Sequence, residues 1–297
     1  MELHQLQYVI EIARHNHFTR AAEEICVSQS TLSQQVTKLE EELGVKLFDR
    51  TTRTVRPTPA GEEFIFYAKR ILSDIERAKN RMQEYAGLSK GKIKIGAINS
   101  MSNLANIIVN FQKDYPGLNI MIVEEGSYKL LEMLQTLQID IAIITPPVEM
   151  NLQTTADIYE LIDDDLVLVT PKNHPLAQRD KIDLAEAAQE KFIFPSRTHS
   201  AYNLALQACR DANFDPDIVC ESSSLYSRFD LVSKEMGVSL VSSKGVKSSD
   251  NDKVSTIALT KSIKKPTVLA LLKHTYHPPA VMAFRDYILD SVSFKQA

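Results

Sequence analysis

The stretch Phe18-Thr19-Arg20-Ala21-Ala22, followed by Val27-Ser28-Gln29-Ser30-Thr31-Leu32-Ser33-Gln34-Gln35-Val36 and then Leu43-Gly44-Val45-Lys46-Leu47-Phe48-Asp49-Arg50, decides the reading of this chain. It predicts two short helices, a tight turn between them and a basic hairpin after. That order is what a helix-turn-helix needs, one helix bracing the backbone while the next lies in the major groove. Upstream, Leu3, Leu6, Tyr8, Val9 and Ile12 recur at helical spacing and predict a first helix with one apolar face. Thr19 is the expected N-cap of the second helix and Ser28 of the third. Leu32, Val36, Leu39 and Leu43 then follow steps of four, three and four.

That stripe leaves Ser28, Gln29, Ser30, Thr31, Ser33, Gln34, Thr37 and Lys38 as candidate DNA-reading residues. Gln pairs bidentately with adenine edges, Ser and Thr suit several bases, and Lys suits guanine or phosphate. An ordinary solvated face has the same composition, so the next segment matters. Gly44 can end the helix with a left-handed residue, and Lys46, Arg50, Arg53 and Arg56 follow, interleaved with Thr51, Thr52 and Thr54. A two-stranded wing of that composition would lie along phosphates and hold register rather than read bases.

Whole-chain charge gives no such signal. Net charge is −4, from 34 basic and 38 acidic residues among 297. The basic charge is concentrated in the wing, while Glu40, Glu41, Glu42, Glu62 and Glu63 must face away from phosphate. This favours a site-specific reader over a sequence-blind coating protein.

From about Pro59 a long helix is predicted, since Pro is tolerated in a first turn and no other follows until Pro116. Phe64, Ala68, Ile71, Ile75, Ala78, Met82 and Tyr85 alternate steps of four and three, the seam of a coiled coil with a second copy. Packing on its own domain is the alternative. A dimer would present two reading helices to the half-sites of an interrupted palindrome in double-stranded DNA. Residues 86–92 are small, polar and Gly-containing, and are read as a linker. Beyond it, apolar runs at 93–98, 120–123, 139–144, 166–169, 192–194, 238–241 and 268–272 alternate with helical stretches, an α/β pattern around mostly parallel sheets.

The N-terminal motif resembles that of LysR-type transcriptional regulators. The matching residues are Phe18-Thr19-Arg20-Ala21-Ala22, Ser28-Gln29-Ser30, Leu32-Ser33, Leu39-Glu40-Glu41-Glu42-Leu43-Gly44-Val45, Leu47-Phe48, Arg50, Arg53 and Thr58-Pro59-Ala60-Gly61. Many members carry Arg where this chain has Gln34, so base preference does not transfer from relatives. The resemblance implies α/β overall: a winged helix-turn-helix at 1–58, a linker and dimerisation helix at 59–88, and an effector-binding domain at 89–297. That last domain would be two-lobed and periplasmic-binding-protein-like, with lobe I at about 93–161 and 267–297 and lobe II at about 162–266.

Ligands in such folds sit beyond the carboxyl ends of strands. The turns at 99–102, 126–128, 195–200 and 222–224 meet that criterion, and hydroxyls there are equally explained as helix caps. The resemblance singles out Ser100, Ser102, Ser127, Ser196 and Thr198, and places Tyr202 where an aromatic lines the cleft in some relatives. Arg197 is the cation of these turns and suits a carboxylate. The expected partners are therefore DNA, a small-molecule, anionic effector and, from the family, RNA polymerase. Homodimer and homotetramer both stay open.

Other chemistry is thin. No Gly-rich phosphate loop, nucleophile elbow or zinc spacing occurs, the seven His are scattered, and no enzyme, metal or cofactor is expected. Cys26 falls on an apolar helix position and is expected in the core. Peroxide-sensing relatives use a Cys pair in the second lobe; Cys209 matches its second member, but Ser200 stands at the first, and Cys220 falls on an expected strand. A thiol redox sensor is the weaker alternative. The N-terminus shows no charged leader with an apolar run and no segment has membrane-spanning length, so a cytoplasmic, nucleoid-associated protein is expected rather than an exported solute-binding protein. An architectural DNA-binding protein whose lobes serve assembly alone is a further alternative.

Overall fold

The computed structural model describes residues 1–50, 55–85, 91–98, 104–147, 149–247 and 254–293. It divides into two units, one of residues 1–89 with 135–138 and one of the remainder.

In the first unit, α1 (Leu3–His15), α2 (Phe18–Glu24) and α3 (Gln29–Leu43) are followed by the hairpin β1 (Phe48–Arg50) and β2 (Val55–Pro57) and by α4 (Pro59–Tyr85). Val9, Ile12, Ala21, Ala22, Leu32, Val36, Leu39, Leu47 and Phe48 form its core. Ser28 caps α3 as expected, accepting from the Thr31 amide at 3.0 Å. Gly44 ends it at φ 72°, a conformation costly for residues with a Cβ. Two expectations are corrected. The N-cap of α2 is His17, whose Nδ1 accepts from the Thr19 amide at 3.2 Å, because the helix starts two residues earlier than a Thr19 cap implies, at Phe18. Cys26 is exposed at φ 55°, since α2 has already ended and the chain is turning toward α3.

Thr58 anchors the start of α4: its amide donates to Leu47 O, its hydroxyl donates to Lys46 O at 2.7 Å, and the Gly61 amide donates back to that hydroxyl. A Cβ on Gly61 would stand 1.9 Å from Leu47 O, so glycine alone permits this approach. Along α4, Ile65 and Ala68 are buried in the first unit, whereas Ile71, Ala78 and Met82 are exposed.

Among the described residues the second unit holds two larger sheets and one two-stranded sheet. β3 (Lys92–Ala97), α5 (Leu104–Asp114), β4 (Asn119–Glu124), α6 (Ser127–Gln135), β5 (Ile141–Ile144) and β6 (Ala156–Ile162) come first. Next are β7 (Leu166–Pro171), β8 (Lys181–Ile182), β9 (Lys191–Pro195), α7 (Ser200–Asp211), β10 (Asp217–Ser222), α8 (Leu225–Ser233), β11 (Ser239–Ser242), α9 (Ser243–Lys247) and β12 (Val254–Leu259). β13 (Thr267–Leu272) and α10 (Pro279–Ser293) close the chain. The first sheet runs β4-β3-β5-β13-β6, the second β11-β7-β12-β8, with β9 and β10 paired beside it.

The sheets are mixed rather than mostly parallel. β3 is parallel to β4 and β5, but β13 is antiparallel to both β5 and β6, and β7 is antiparallel to β11 and β12. The reason is that the chain crosses to the second sheet after β6 and returns in β13, so each crossover reverses direction. The crossovers run side by side: Asp165 and Lys264 form an antiparallel bridge, the Lys265 amide donates to Asp164 O at 2.7 Å, and the Leu166 amide to Ile263 O at 2.9 Å.

Candidate nucleic-acid interface and interlobe cleft

On α3, Ser28, Gln29, Ser30, Thr31, Gln34 and Lys38 are exposed, while Ser33 and Thr37 are half-buried. Leu32, Val36 and Leu39 turn inward, whereas Leu43, expected in the same stripe, is exposed at the end of the helix, and the polar side chains face outward. Several are already engaged. Thr19 Oγ1 donates to Gln29 Oε1 at 3.1 Å, and the Ser28 hydroxyl lies 2.8 Å from those of Ser30 and Thr31.

The wing is tied to this helix through Glu40, which sequence reasoning assigned only to a face turned away from phosphate. Its side chain is buried and accepts from Lys46 Nζ at 2.9 Å, the Leu47 amide at 3.0 Å, the Phe48 amide at 3.3 Å and Arg50 Nη2 at 3.3 Å. Burial opposes ionisation of Glu40, but these donors and the charge of Arg50 outweigh it and hold the carboxyl below its ordinary value. Arg50 also donates to Ser33 Oγ at 3.3 Å and lies over the Phe18 ring at 4.8 Å. It therefore bridges wing, reading helix and α2. Arg56 is exposed on β2. Arg53 lies outside the described residues.

In the second unit, a small cavity between the two larger sheets is lined by Ile98, Ser127, Thr145, His199, Ser200, Arg228, Ser242 and Lys265, with apolar neighbours. Its volume is about 30 Å³, room for about one water. Ser200, at the start of α7, donates across it to Ser127 Oγ at 3.0 Å and to Thr145 O at 2.6 Å. Nearby, Asn203 donates to Tyr128 OH at 2.8 Å and Tyr128 donates to Glu149. A Cβ on Gly126 would fall 2.2 Å from Thr198 O, so the two turns touch backbone to backbone. The turns around 126–128 and 198–203 are thus held together along this edge.

Among the expected effector residues, Ser127 lines the cavity. Ser196 and Thr198 lie beside it, their hydroxyls 2.7 Å apart. Arg197 is exposed, donates to Glu221 at 3.1 Å and covers the Tyr202 ring at 5.2 Å, and Tyr202 packs in a core cluster with Phe192, Phe194 and Leu240. Ser100 and Ser102 lie outside the described residues. The cations that do line the cavity are Arg228 and Lys265. Burial pushes Arg228 down to about 10. Burial likewise pushes Lys265 down to about 8, with Asp164 opposing the shift and Arg228 adding to it. His199 is also held below its usual value, by burial first and by Arg228 second.

Sequence reasoning missed both cations. Arg228 interrupts the buried stripe Leu225, Phe229, Val232 of α8, which was a usable signal. Lys265 sat in a run of polar residues between strands and gave none.

The cysteines offer no pair. Cys209 is buried with its thiol pushed up to about 12 by burial, Cys220 is half-buried on β10, and all three are free thiols. Among the described residues no His, Cys, Asp and Glu cluster could hold a metal, and no helix is long and apolar enough to cross a membrane.

Comparison with known proteins gives matches to both units. The family "Bacterial regulatory helix-turn-helix protein, lysR family" matches residues 3–62, and "LysR substrate binding domain" matches residues 86–293. The transcriptional dual regulator GltC of Bacillus subtilis (strain 168) is 34% identical over 244 residues, 81% of this chain and 80% of that one. CbnR complexed with its target DNA superposes with a TM-score of 0.70 at 20% identity, covering 98% of this chain and all of that one. The effector-binding domain of QuiR in complex with shikimate gives a TM-score of 0.62 at 25% identity, covering 69% of this chain and 98% of that one.

Proposed function

The chain belongs to the LysR-type family of DNA-binding transcriptional regulators, and from that premise we propose that its promoter output is switched by a small anionic molecule bound between its two lobes. The family consists of regulators rather than enzymes, and the second unit is its effector-binding domain. The observation that carries the proposal is the cavity between the two larger sheets, lined by cations and hydroxyls and spanned by the hydrogen bonds of Ser200 to Ser127 and Thr145.

An effector shifts an equilibrium only by its differential affinity for two states. The closed cavity has room for about one water, so a metabolite enters as the lobes part and holds them at a different separation. Ser100, Ser102, Ser127, Ser196, Arg197, Thr198 and Tyr202 are the proposed residues around that opening. In a homodimer joined through the exposed part of α4, lobe movement would change the spacing of the two reading helices on an interrupted palindrome, and with it access of RNA polymerase. A tetramer of two such dimers would act in the same way, on the nucleoid in the cytoplasm.

Thiol sensing is the weaker reading. The hydroxyl of Ser200 cannot take the place of a peroxide-reactive thiol, and Cys209 is held in its protonated, unreactive form.

The test is a footprint of the purified full chain on promoter DNA with and without the small-molecule fraction of a cell extract. The fraction should alter the footprint, and Ser100→Ala with Thr198→Ala should abolish the change while leaving DNA binding intact. A footprint that no fraction alters would favour a purely architectural role.

A further inference from the structure

Beyond the reading helix and the contacts between the sheets, Arg228 is a buried cation on the cavity wall. Arg228 is 7% exposed and lines the cavity between the sheets, and its Nε has no hydrogen-bond partner among the described residues. No ion pair to Arg228 occurs among those residues either. A buried guanidinium is a strong, rigid donor, and leaving one without an anion is costly for a folded chain.

The surrounding charges show what is lacking. Lys265 lines the same cavity and is 4% exposed. The nearby buried carboxylate is Asp164, which interacts with Lys265. Asp164 is already saturated: Ser242 Oγ donates to it, as do Ser243 Oγ at 2.7 Å, the Lys244 amide at 3.1 Å and the Asp165 amide at 2.8 Å. Lys265 thus has Asp164 near it, whereas Arg228 has no carboxylate bonded to it among the described residues. Glu125 acts on His199 from the exposed rim and is not buried in the cavity. The hydroxyls of Ser127 and Ser200 and the unpaired Thr145 Oγ1 supply neutral partners around the same space.

We propose that Arg228 and Lys265 form the anion-recognition floor of the cleft and take a single carboxylate group of the ligand, with Arg228 as its bidentate donor. This rests on the reading of the cleft as the effector site, and it names the chemical class that site accepts. The planar fork of guanidinium matches a carboxylate through two parallel hydrogen bonds, and the hydroxyls of Ser127 and Ser200 flank the same space. Lys265 and Asp164 lie on the two crossovers that join the lobes, so neutralising the cluster acts directly on the segments about which the lobes move.

The experiment uses the full chain. Thermal melting and titration calorimetry are run with acetate, benzoate and succinate, with the matching amides acetamide, benzamide and succinamide, and with inorganic phosphate. At least one carboxylate should raise the melting temperature where its amide does not. Arg228→Gln should weaken that binding at least tenfold, and its unliganded melting temperature should equal or exceed that of the parent, because an unpaired buried charge has gone. Arg228→Lys should keep part of the affinity. Protection that Arg228→Gln leaves intact, protection by phosphate alone, or an unliganded Arg228→Gln that melts lower than the parent would each overturn the inference. If a small-molecule fraction alters the DNA footprint while no carboxylate protects the chain, the effector reading stands and this inference falls. A chain that responds to neither fails both.

Discussion

Glu40 on the reading helix and Arg50 on the wing are joined at 3.3 Å, with the Glu40 carboxylate buried beneath the hairpin and also accepting the amides of Leu47 and Phe48. The wing's position relative to α3 is thus set by the helix it follows. Replacing Glu40 with Ala strands two buried amides and two cations, at an expected cost of about 2–4 kcal/mol. Amide exchange at Leu47 and Phe48 should quicken while exchange in the second unit stays unchanged. Unaltered protection at both amides would mean the carboxylate does not hold the wing.

Arg50 and Arg56 should behave differently although both are wing arginines. Arg56 is exposed, and Arg56→Ala should weaken binding to all sequences and lower the salt slope by about one unit. Arg50 is committed to Ser33, Thr37 and Glu40, so Arg50→Ala should disturb base preference as well as affinity. Affinities measured across a salt series on matched and mutated operators separate the two; identical behaviour would remove the distinction.

How much of this was legible in the sequence varies with the kind of contact. The helix-turn-helix, the stripe Leu32, Val36, Leu39 and the glycine stop at Gly44 were readable because they are local periodicities and caps. The role of Glu40 was not, since a run of three glutamates gives no sign that its first member turns inward to meet amides seven and eight residues on. The same limit hid the antiparallel return of β13 and the meeting of Lys265 with Arg228, which depend on crossovers about a hundred residues apart. Cys26 was misplaced for a smaller reason: the helix ends before it.

The exposed stretch of α4 predicts a seam. Ile71→Glu with Ile75→Glu should yield monomers in sedimentation velocity and strongly weaken operator binding, because two half-sites are then engaged independently. A dimer that survives both changes would move the interface elsewhere.

Lys265 gives the cleft a pH signature. Its folded value of about 8 lies below the ordinary 10.5. Between those values the unfolded chain holds a proton the folded chain has released, so stability from this group rises with pH. Below pH 8 the lysine is charged in both states and the cost of burying it is fully present. The stability difference between the parent and Lys265→Met should therefore shift in the parent's favour by about 2 kcal/mol from pH 7.5 to 9.5. A difference that stays flat over that range would show that Lys265 is not buried as a charge.

The most direct test of the central claim is selection of genomic fragments by the purified full chain at physiological salt, followed by sequencing and footprinting. The account predicts an interrupted palindrome upstream of a gene or operon, protected over two half-sites and lost with Gln29→Ala and Gln34→Ala. Recovery of fragments sharing no motif, or a motif indifferent to both glutamines, would contradict it.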